Sequence, residues 1–172
     1  MRHRLLVVIG TATLLSACAS TGAIPQPFPQ PDAARGPETE PSNVGTIRVE
    51  DGDAISGTAL SLTGVPYRNG GSDPSGFDCS GFVQYVFARH GLRVPREVRD
   101  QFKTGRPVNG YEVQPGDLLF FTTIRSGASH VAIAIGGDQF VHAPSSRGNV
   151  RVESLTSSYW RSRYLTARRF VG

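Results

Sequence analysis

The sequence predicts an α+β domain, with N-terminal helices packed on a C-terminal antiparallel β-sheet of about five strands. Apolar residues recur at helical spacing in the first part of the region that follows residue 53. From Pro115 onward the pattern changes to short apolar or alternating segments separated by Gly, Ser and Asn, which is typical of strands. Helices followed by strands, rather than alternating with them, indicate an α+β arrangement.

Three helices are predicted, over residues 54–63, 79–90 and 97–103. The second has the clearest boundaries, because Asp78 is a favourable N-cap and Gly91 lies just beyond the last turn. Five strands are predicted at residues 118–121, 131–135, 139–143, 150–153 and 167–171, with a helical turn at 157–164.

The first 17 residues have the features of an export signal: a basic start, an apolar core and small residues at the end. The core is too short for a membrane-spanning helix, which needs about 20 apolar residues. Leu15–Cys18 resembles the lipobox of bacterial lipoproteins, which implies lipid on Cys18, although an ordinary signal with a chance cysteine is the alternative. Ala19 after that cysteine implies an outer-membrane location facing the periplasm, if the cell has an outer membrane.

Residues 18–53 are predicted to form a flexible linker, because the stretch Ile24–Pro31 alternates proline with other residues. The folded domain is expected over residues 54–172. Residues 55–172 hold fourteen basic and eight acidic residues, whereas residues 18–54 hold two basic and six acidic ones. The mildly basic domain favours an acidic substrate and lacks a basic cluster dense enough for nucleic acid.

The chain has two cysteines, Cys18 and Cys79, and an even count in an exported protein suggests a disulfide. If Cys18 carries lipid, Cys79 is a lone thiol in an oxidising compartment, which favours a reactive role. Cys79 opens the second predicted helix, where free backbone N–H groups and the helix dipole favour a thiolate, while the adjacent Asp78 opposes it. A buried structural cysteine is the competing interpretation.

His130 and His142 are the candidate partners of the thiol. We expect a three-residue loop after Ile135, which would put both histidines on one face of a hairpin, roughly 7–8 Å apart between backbones. A two-residue loop would put them on opposite faces. On the shared face, Ala132 and Ala134 would leave room for the end of the helix that carries the thiol.

This set has the logic of a thiol nucleophile with a base and an orienting residue: His130 removes the proton of Cys79, and His142 fixes the orientation of His130. Two alternatives remain, namely hydrogen-bonded core histidines and a zinc site. The zinc site is less favoured because the ligands lack short-spaced pairs. No metal or organic cofactor is expected.

Four segments together resemble the NlpC-type cell-wall peptidases, in order and with similar spacing: Gly76–Val83, Pro115–Leu118, Ser129–Ile133 and Phe140–Ala143. Val65–Gly71 also resembles the segment before the nucleophile in that family. The C-terminal Tyr159-Trp160 and Ala167–Arg169 resemble the murein endopeptidase lipoproteins related to Spr.

The resemblance implies a papain-like fold and hydrolysis of peptide bonds in peptidoglycan, with Cys79 as nucleophile, His130 as base and His142 as third residue. It also implies that the Tyr67 hydroxyl supports the oxyanion and that Asp78 and Ser80 hold polar groups of the substrate. D-Glutamyl–diaminopimelate and D-alanyl–diaminopimelate bonds are both candidate targets. The sequence departs from the family at Glu97–Arg99, where Ser or Thr often follows Pro-Arg.

Two other functions remain open at this stage: a thiol acyltransferase with an amine or alcohol acceptor, and a non-catalytic wall-binding lipoprotein. The expected partners are peptidoglycan stem peptides and a membrane reached through Cys18. A regulatory adaptor lipoprotein or protease is a further possible partner, and the chain is expected to be a monomer.

Overall fold

The computed structural model describes residues 49–145 and 148–171, with the backbone alone at residues 49 and 50. The predicted signal, the lipid site at Cys18 and most of the linker lie outside the described residues. Among the described residues, no helix has the length and apolar character needed to cross a membrane.

The described residues form four α-helices: α1 (Val49–Ser61), α2 (Cys79–Ala88), α3 (Val98–Thr104) and α4 (Ser158–Arg161). A 3-10 helix spans Gly110–Glu112. The strands are β1 (Ser72–Asp73), β2 (Gly76–Phe77), β3 (Arg106–Val108), β4 (Leu118–Phe121), β5 (His130–Gly136), β6 (Gln139–His142), β7 (Arg151–Ser154) and β8 (Tyr164–Arg169).

The α+β prediction is confirmed, and all five predicted strands are present within three residues of their expected boundaries. The main sheet has six antiparallel strands in the order β3-β8-β4-β5-β6-β7. The unpredicted strand β3 contains Pro107, which lacks a backbone donor and obscures a strand pattern. It lies at an edge of the sheet, where proline is tolerated.

Alternation along the strands separates two hydrophobic clusters on opposite faces of the sheet. The larger cluster contains Val131 and Ile133 of β5 and packs against buried residues of α1, α2 and α3. The smaller cluster contains Ala132 and Ala134 together with Trp160 of α4. The expectation that Ala132 and Ala134 leave room for α2 is therefore wrong, because the helices pack on the odd-numbered residues of β5.

The β5–β6 hairpin has a shorter loop than expected. Gly136 pairs with Gln139, so the loop has two residues rather than three, and the prediction of its length is wrong. However, Ile133 pairs with Val141, and a β-bulge lies between Ala134 and Gly136. The extra residue of the bulge restores the parity that the short loop would have changed, so His130 and His142 still share a face. Gly136 and Gly137 have φ of 106° and 56°, values that favour glycine.

Candidate active site

The backbone around Cys79 is fixed by its neighbours at the start of α2. Asp78 is the N-cap residue, as predicted, and its Oδ1 accepts a hydrogen bond of 2.7 Å from the N–H of Gly81. The N–H of Asp78 donates to the carbonyl of Gly71 at 3.0 Å. A Cβ on Gly81 would overlap that same carbonyl. Glycine at this position therefore allows the loop to pack closely against the helix and hold Cys79 at its first turn.

Cys79 is a free thiol, and its sulfur lies against the start of β5. The backbone N–H of Val131 lies within hydrogen-bonding reach of the sulfur, as do those of Ser80 and of Cys79 itself. The register of the sheet would pair Val131 with Ala143, but β6 ends at His142. The end of β6 thus leaves a backbone donor of the strand directed at the thiol.

The thiol is nevertheless held in its neutral form. Burial and then the negative charge of Asp78 raise the pKa of Cys79, to about 11 in total. The N–H groups of Ser80 and Cys79 at the helix N-terminus, and that of Val131 on β5, lower the pKa, but their effect is smaller. Deprotonation therefore depends on a nearby base.

The base expected from the sequence, His130, is the first residue of β5 and is 3% exposed. Its Nε2 lies 2.8 Å from Nδ1 of His142, which is fully buried. Its ring also stacks on Trp160, with 5.6 Å between ring centroids and 25° between planes. Because Nε2 is engaged with His142, Nδ1 is the nitrogen of His130 that remains to take a proton.

Both imidazoles are neutral at physiological pH. Burial and, to a smaller extent, proximity to His142 lower the pKa of His130 to about 3. Burial also lowers the pKa of His142 to about 4, although the nearby carboxylate of Glu153 opposes the decrease. The resting site thus contains a neutral thiol and two neutral imidazoles rather than a thiolate–imidazolium pair.

A charged network lies on the helix side of the thiol. Arg96 donates to Oδ2 of Asp78 at 2.5 Å and to the Ser80 hydroxyl at 2.8 Å. Tyr67 belongs to the same region, because burial and then the charges of Cys79 and Asp78 raise the pKa of its hydroxyl, while Arg96 lowers it. The structure therefore brings the predicted substrate-binding residues Tyr67, Asp78 and Ser80 together around the start of α2.

A cavity of about 360 Å³ adjoins His130 and extends toward α4. Its lining is mostly polar or aromatic and includes Thr123, Arg151, Glu153, Tyr159 and Trp160. Within the described part of the chain, no three Asp, Glu, His or Cys side chains are grouped in a way that could hold a metal ion.

Comparison with known proteins identifies this arrangement. The sequence model of the NlpC/P60 family matches residues 64–169. The chain belongs to the NlpC/P60 family.

Among curated NlpC/P60 relatives, the chain is 37% identical over 171 residues to the murein DD-endopeptidase MepS/murein LD-carboxypeptidase of Escherichia coli K12, covering 95% of this chain and 89% of the relative. It is 42% identical over 112 residues to the probable peptidoglycan endopeptidase LytE of Bacillus subtilis, covering 65% of this chain and 32% of that protein.

Solved structures of NlpC/P60 proteins have the same fold. The NlpC/p60 domain of the peptidoglycan hydrolase SagA matches with a TM-score of 0.61 and 39% identity, covering 69% of this chain and 97% of that chain. RipD of Mycobacterium tuberculosis, described as a non-catalytic NlpC/p60 protein adapted to peptidoglycan binding, matches with a TM-score of 0.60 and 26% identity. It covers 72% of this chain and 98% of its own.

Two site residues of this NlpC/P60 domain were not predicted from the sequence. Arg96 belongs to the Pro-Arg pair that precedes Glu97, and no role was predicted for it. Its contact with Asp78 joins residues that are 18 positions apart. Oε1 of Glu153 lies 3.5 Å from Nε2 of His142, and nothing in the local sequence around Glu153 indicates this contact. Only the register of β6 and β7, which pairs His142 with Arg151, could have indicated it.

Proposed function

We propose that this chain is a peptidoglycan endopeptidase that cleaves peptide bonds of cell-wall stem peptides or crosslinks through a thioester on Cys79. One observation carries the proposal: the Cys79 thiol lies at the start of α2 and against the first residues of β5, where His130 is hydrogen bonded to His142. The names of MepS, LytE and SagA support peptidoglycan as the substrate.

In the proposed first step, Nδ1 of His130 takes the proton of the thiol as the sulfur attacks the amide carbonyl of the substrate. The new C–S bond converts the carbonyl oxygen to an oxyanion, which the N–H of Cys79 and the Tyr67 hydroxyl stabilise. The C–N bond then breaks, and protonated His130 gives its proton to the leaving amine. Water, deprotonated by His130, hydrolyses the thioester and regenerates the thiol.

The cavity beside His130 is proposed to hold the leaving-amine portion of the substrate, because His130 has to reach that amine in order to protonate it. Arg151 lines the cavity and donates to Glu153 through Nε only, so its remaining N–H groups can bind a carboxylate of the substrate. On the opposite side of the thiol, Asp78 and Ser80 are proposed to hold polar groups of the acyl portion.

We propose the D-alanyl–diaminopimelate crosslink as the preferred bond. Support comes from MepS, a relative named as a DD-endopeptidase that aligns over most of both chains. The D-glutamyl–diaminopimelate stem bond is the other candidate. A gamma-DL-glutamyl hydrolase of Bacillus subtilis is 40% identical, covering 69% of this chain and 30% of that protein.

Digestion of purified sacculi, with mass spectrometry of the products, tests the function and the bond together. The full chain should release muropeptides separated at one of these bonds with addition of water, and Cys79→Ala should release none while keeping the circular dichroism of the folded protein. Transfer of the acyl group to an amine or alcohol acceptor would instead identify an acyltransferase. Binding to sacculi without any cleavage would identify a wall-binding protein like RipD.

We also propose that the chain is exported and anchored through lipid on Cys18, facing the periplasm from the outer membrane where one exists. Support comes from the sequence of residues 1–19 alone. Expression of the full chain in a bacterial host should place it in the membrane fraction with an acylated N-terminal peptide. Cys18→Ala should remove the acyl group and leave the chain either in the soluble fraction or with its signal uncleaved. An unchanged distribution and an unchanged N-terminal peptide would refute the anchor.

A further inference from the structure

A series of polar side-chain contacts connects His130 through His142 to Glu153. The imidazole of His142 is fully buried, and its Nδ1 faces Nε2 of His130 at 2.8 Å. On the other side of the ring, Nε2 of His142 faces Oε1 of Glu153 at 3.5 Å. These contacts connect three side chains from β5, β6 and β7 on one face of the sheet.

The Nε2 atom of His142 has no hydrogen-bond partner within normal distance, although it is buried. A buried polar nitrogen without a partner is unfavourable, and the group that it faces is a carboxylate. Glu153 is kept ionised at this place. Hydrogen bonds from Trp160 Nε1 and from Arg151 Nε lower its pKa despite its partial burial. An ionised carboxylate can only accept a hydrogen bond, so it selects the tautomer of His142 that carries a proton on Nε2.

The tautomer of His142 determines the tautomer of His130. Neutral His142 with its proton on Nε2 has an unprotonated Nδ1, which can only accept a hydrogen bond. The neighbouring Nε2 of His130 then has to be the donor, so Nδ1 of His130 is unprotonated and free to take the proton of Cys79. In the opposite arrangement, both rings carry the proton on Nδ1, and His130 cannot act as a base toward the thiol.

We propose that Glu153 is a positioning residue for the reaction, which acts through His142 to hold both histidines in the tautomer that makes His130 a base. The proposal rests on the proposed function for its catalytic meaning, but the tautomers themselves do not depend on the substrate. Glu153 lines the cavity beside His130, but its contacts are with His142, Arg151 and Trp160, so it acts on the proton transfer through His142. In catalytic triads and metal sites, a carboxylate that accepts a hydrogen bond from a histidine orients its ring and stabilises positive charge on it. Glu153 has the same effect on His142 during proton transfer.

Other groups around the histidines also influence their protonation. Arg151, which lies opposite His142 on β7, lowers the pKa of His142, whereas Glu153 raises it. The Cys79 thiol, which lies against the N–H of Val131 on β5, is neutral because burial raises its pKa. Since burial keeps both rings neutral, Glu153 acts by selecting the tautomer and not by protonating His142 in the resting protein.

The decisive variant is Glu153→Gln, because an oxygen kept toward the indole N–H of Trp160 places the amide donor at the Oε1 position near His142. Arg151, which donates to Oε1 and is half exposed, can turn to solvent. A donor at the Oε1 position favours an unprotonated Nε2 on His142 and therefore the opposite tautomer of both rings. We expect kcat/KM for peptidoglycan fragments to fall at least tenfold, with most of the change in kcat. Glu153→Asp retains the carboxylate and should recover part of the loss. Glu112→Gln, the same change on the exposed 3-10 helix, should have no effect.

Nitrogen-15 NMR of labelled histidines in the full chain reads the tautomers directly. Wild type and Glu153→Asp should show His130 and His142 protonated on Nε2 at pH 7, and Glu153→Gln should show protonation on Nδ1. The rate of Cys79 alkylation by iodoacetamide should fall in Glu153→Gln. Unchanged tautomers and an unchanged alkylation rate in a folded Glu153→Gln protein would overturn the inference. If that variant does not fold, protonation of His142 on Nδ1 in the wild type would overturn it equally.

The two proposals fail separately. If the wild-type chain cleaves no peptidoglycan, the proposed function is wrong, while the NMR and alkylation results still decide the role of Glu153. If the wild type cleaves peptidoglycan and Glu153→Gln retains full activity and tautomers, only the inference on Glu153 is wrong.

Discussion

The Cys79 thiol lies between a helix side, at the start of α2, and a sheet side, formed by the strands that carry His130 and His142. The charged groups on these two sides differ. On the helix side, Asp78 is paired with Arg96, and a third of the Arg96 side chain remains exposed. On the sheet side, His130 and His142 are buried and neutral, and the carboxylate of Glu153 lies 3.5 Å from Nε2 of His142. The helix side therefore neutralises charge by pairing, whereas the sheet side excludes it by burial.

This difference indicates what each side contributes. The ion pair with Arg96 limits the effect of the negative charge of Asp78 on the thiol. Burial on the sheet side keeps His130 unprotonated, so that it can accept a proton at any pH above the acidic range.

Removal of the base should have the largest effect on activity. His130→Ala should lower kcat/KM about 10²–10⁴-fold, which is the usual contribution of a general base. Peptidoglycan-fragment cleavage measures the loss, and iodoacetamide alkylation of Cys79 should slow in parallel because the thiol loses its proton acceptor. His90→Ala is the matched control, since His90 is bonded to Thr58 away from the thiol. An unchanged alkylation rate in His130→Ala would separate His130 from the thiol.

The buried histidines should also make the protein sensitive to acid. The pKa of His142 is lowered from its ordinary 6.5 to about 4, so the unfolded chain binds a proton between these pH values and the folded chain does not. The free energy of unfolding should therefore be greatest above pH 6.5 and fall as the pH decreases toward 4. His142 alone should account for about 3 kcal/mol of the decrease, and His130 adds to it with the same sign.

Urea unfolding at pH 7.0, 5.5 and 4.5 measures this dependence. His142→Asn should show a shallower decrease than the wild type over the same range. Carboxylates with lowered pKa, such as Asp73 and Glu153, contribute mainly below this window. Equal slopes for the wild type and His142→Asn would contradict the buried neutral state of His142.

The smallest of these effects is expected on the helix side. Arg96→Met leaves Asp78 unpaired next to Cys79, so the pKa of the thiol should rise further and kcat/KM should fall about tenfold, equivalent to a single pKa unit. The pH dependence of Cys79 alkylation should shift to higher pH. Arg68→Met removes a similar but exposed ion pair with Asp73 and should leave both measurements unchanged. Equal behaviour of the two variants would show that the Asp78–Arg96 pair has no influence on the thiol.

The elements and their approximate boundaries were predictable because their signals are local. Asp78 accepts a hydrogen bond from Gly81, three residues away, so the start of α2 follows from a few adjacent residues. β4 is uniformly buried and was predicted with its observed boundaries, Leu118–Phe121. By contrast, β1 and β2 have two residues each, too few for any periodic pattern.

The residues of the candidate site were only partly predictable. Cys79, His130 and His142 were predicted from a thiol at a helix start and two histidines on neighbouring strands, and the resemblance to a known family implied the same roles. The shared face of the two histidines was expected for a different reason from the observed one, since a bulge near Ile135, not a longer loop, sets the register. Arg96 and Glu153 were missed because arginine and glutamate are usually solvated and carry no signal of their own.

The sequence by itself determined that a thiol opens a helix, that two histidines lie on neighbouring strands, and which family the domain resembles. These features depend on hydrogen bonds and side-chain periods that span a few residues. Only the tertiary structure decided which face of the sheet the helices cover, that the thiol and both imidazoles are neutral, and that Glu153 lies behind His142. Burial and strand register depend on contacts between distant segments, and the pKa values follow from that burial rather than from residue type.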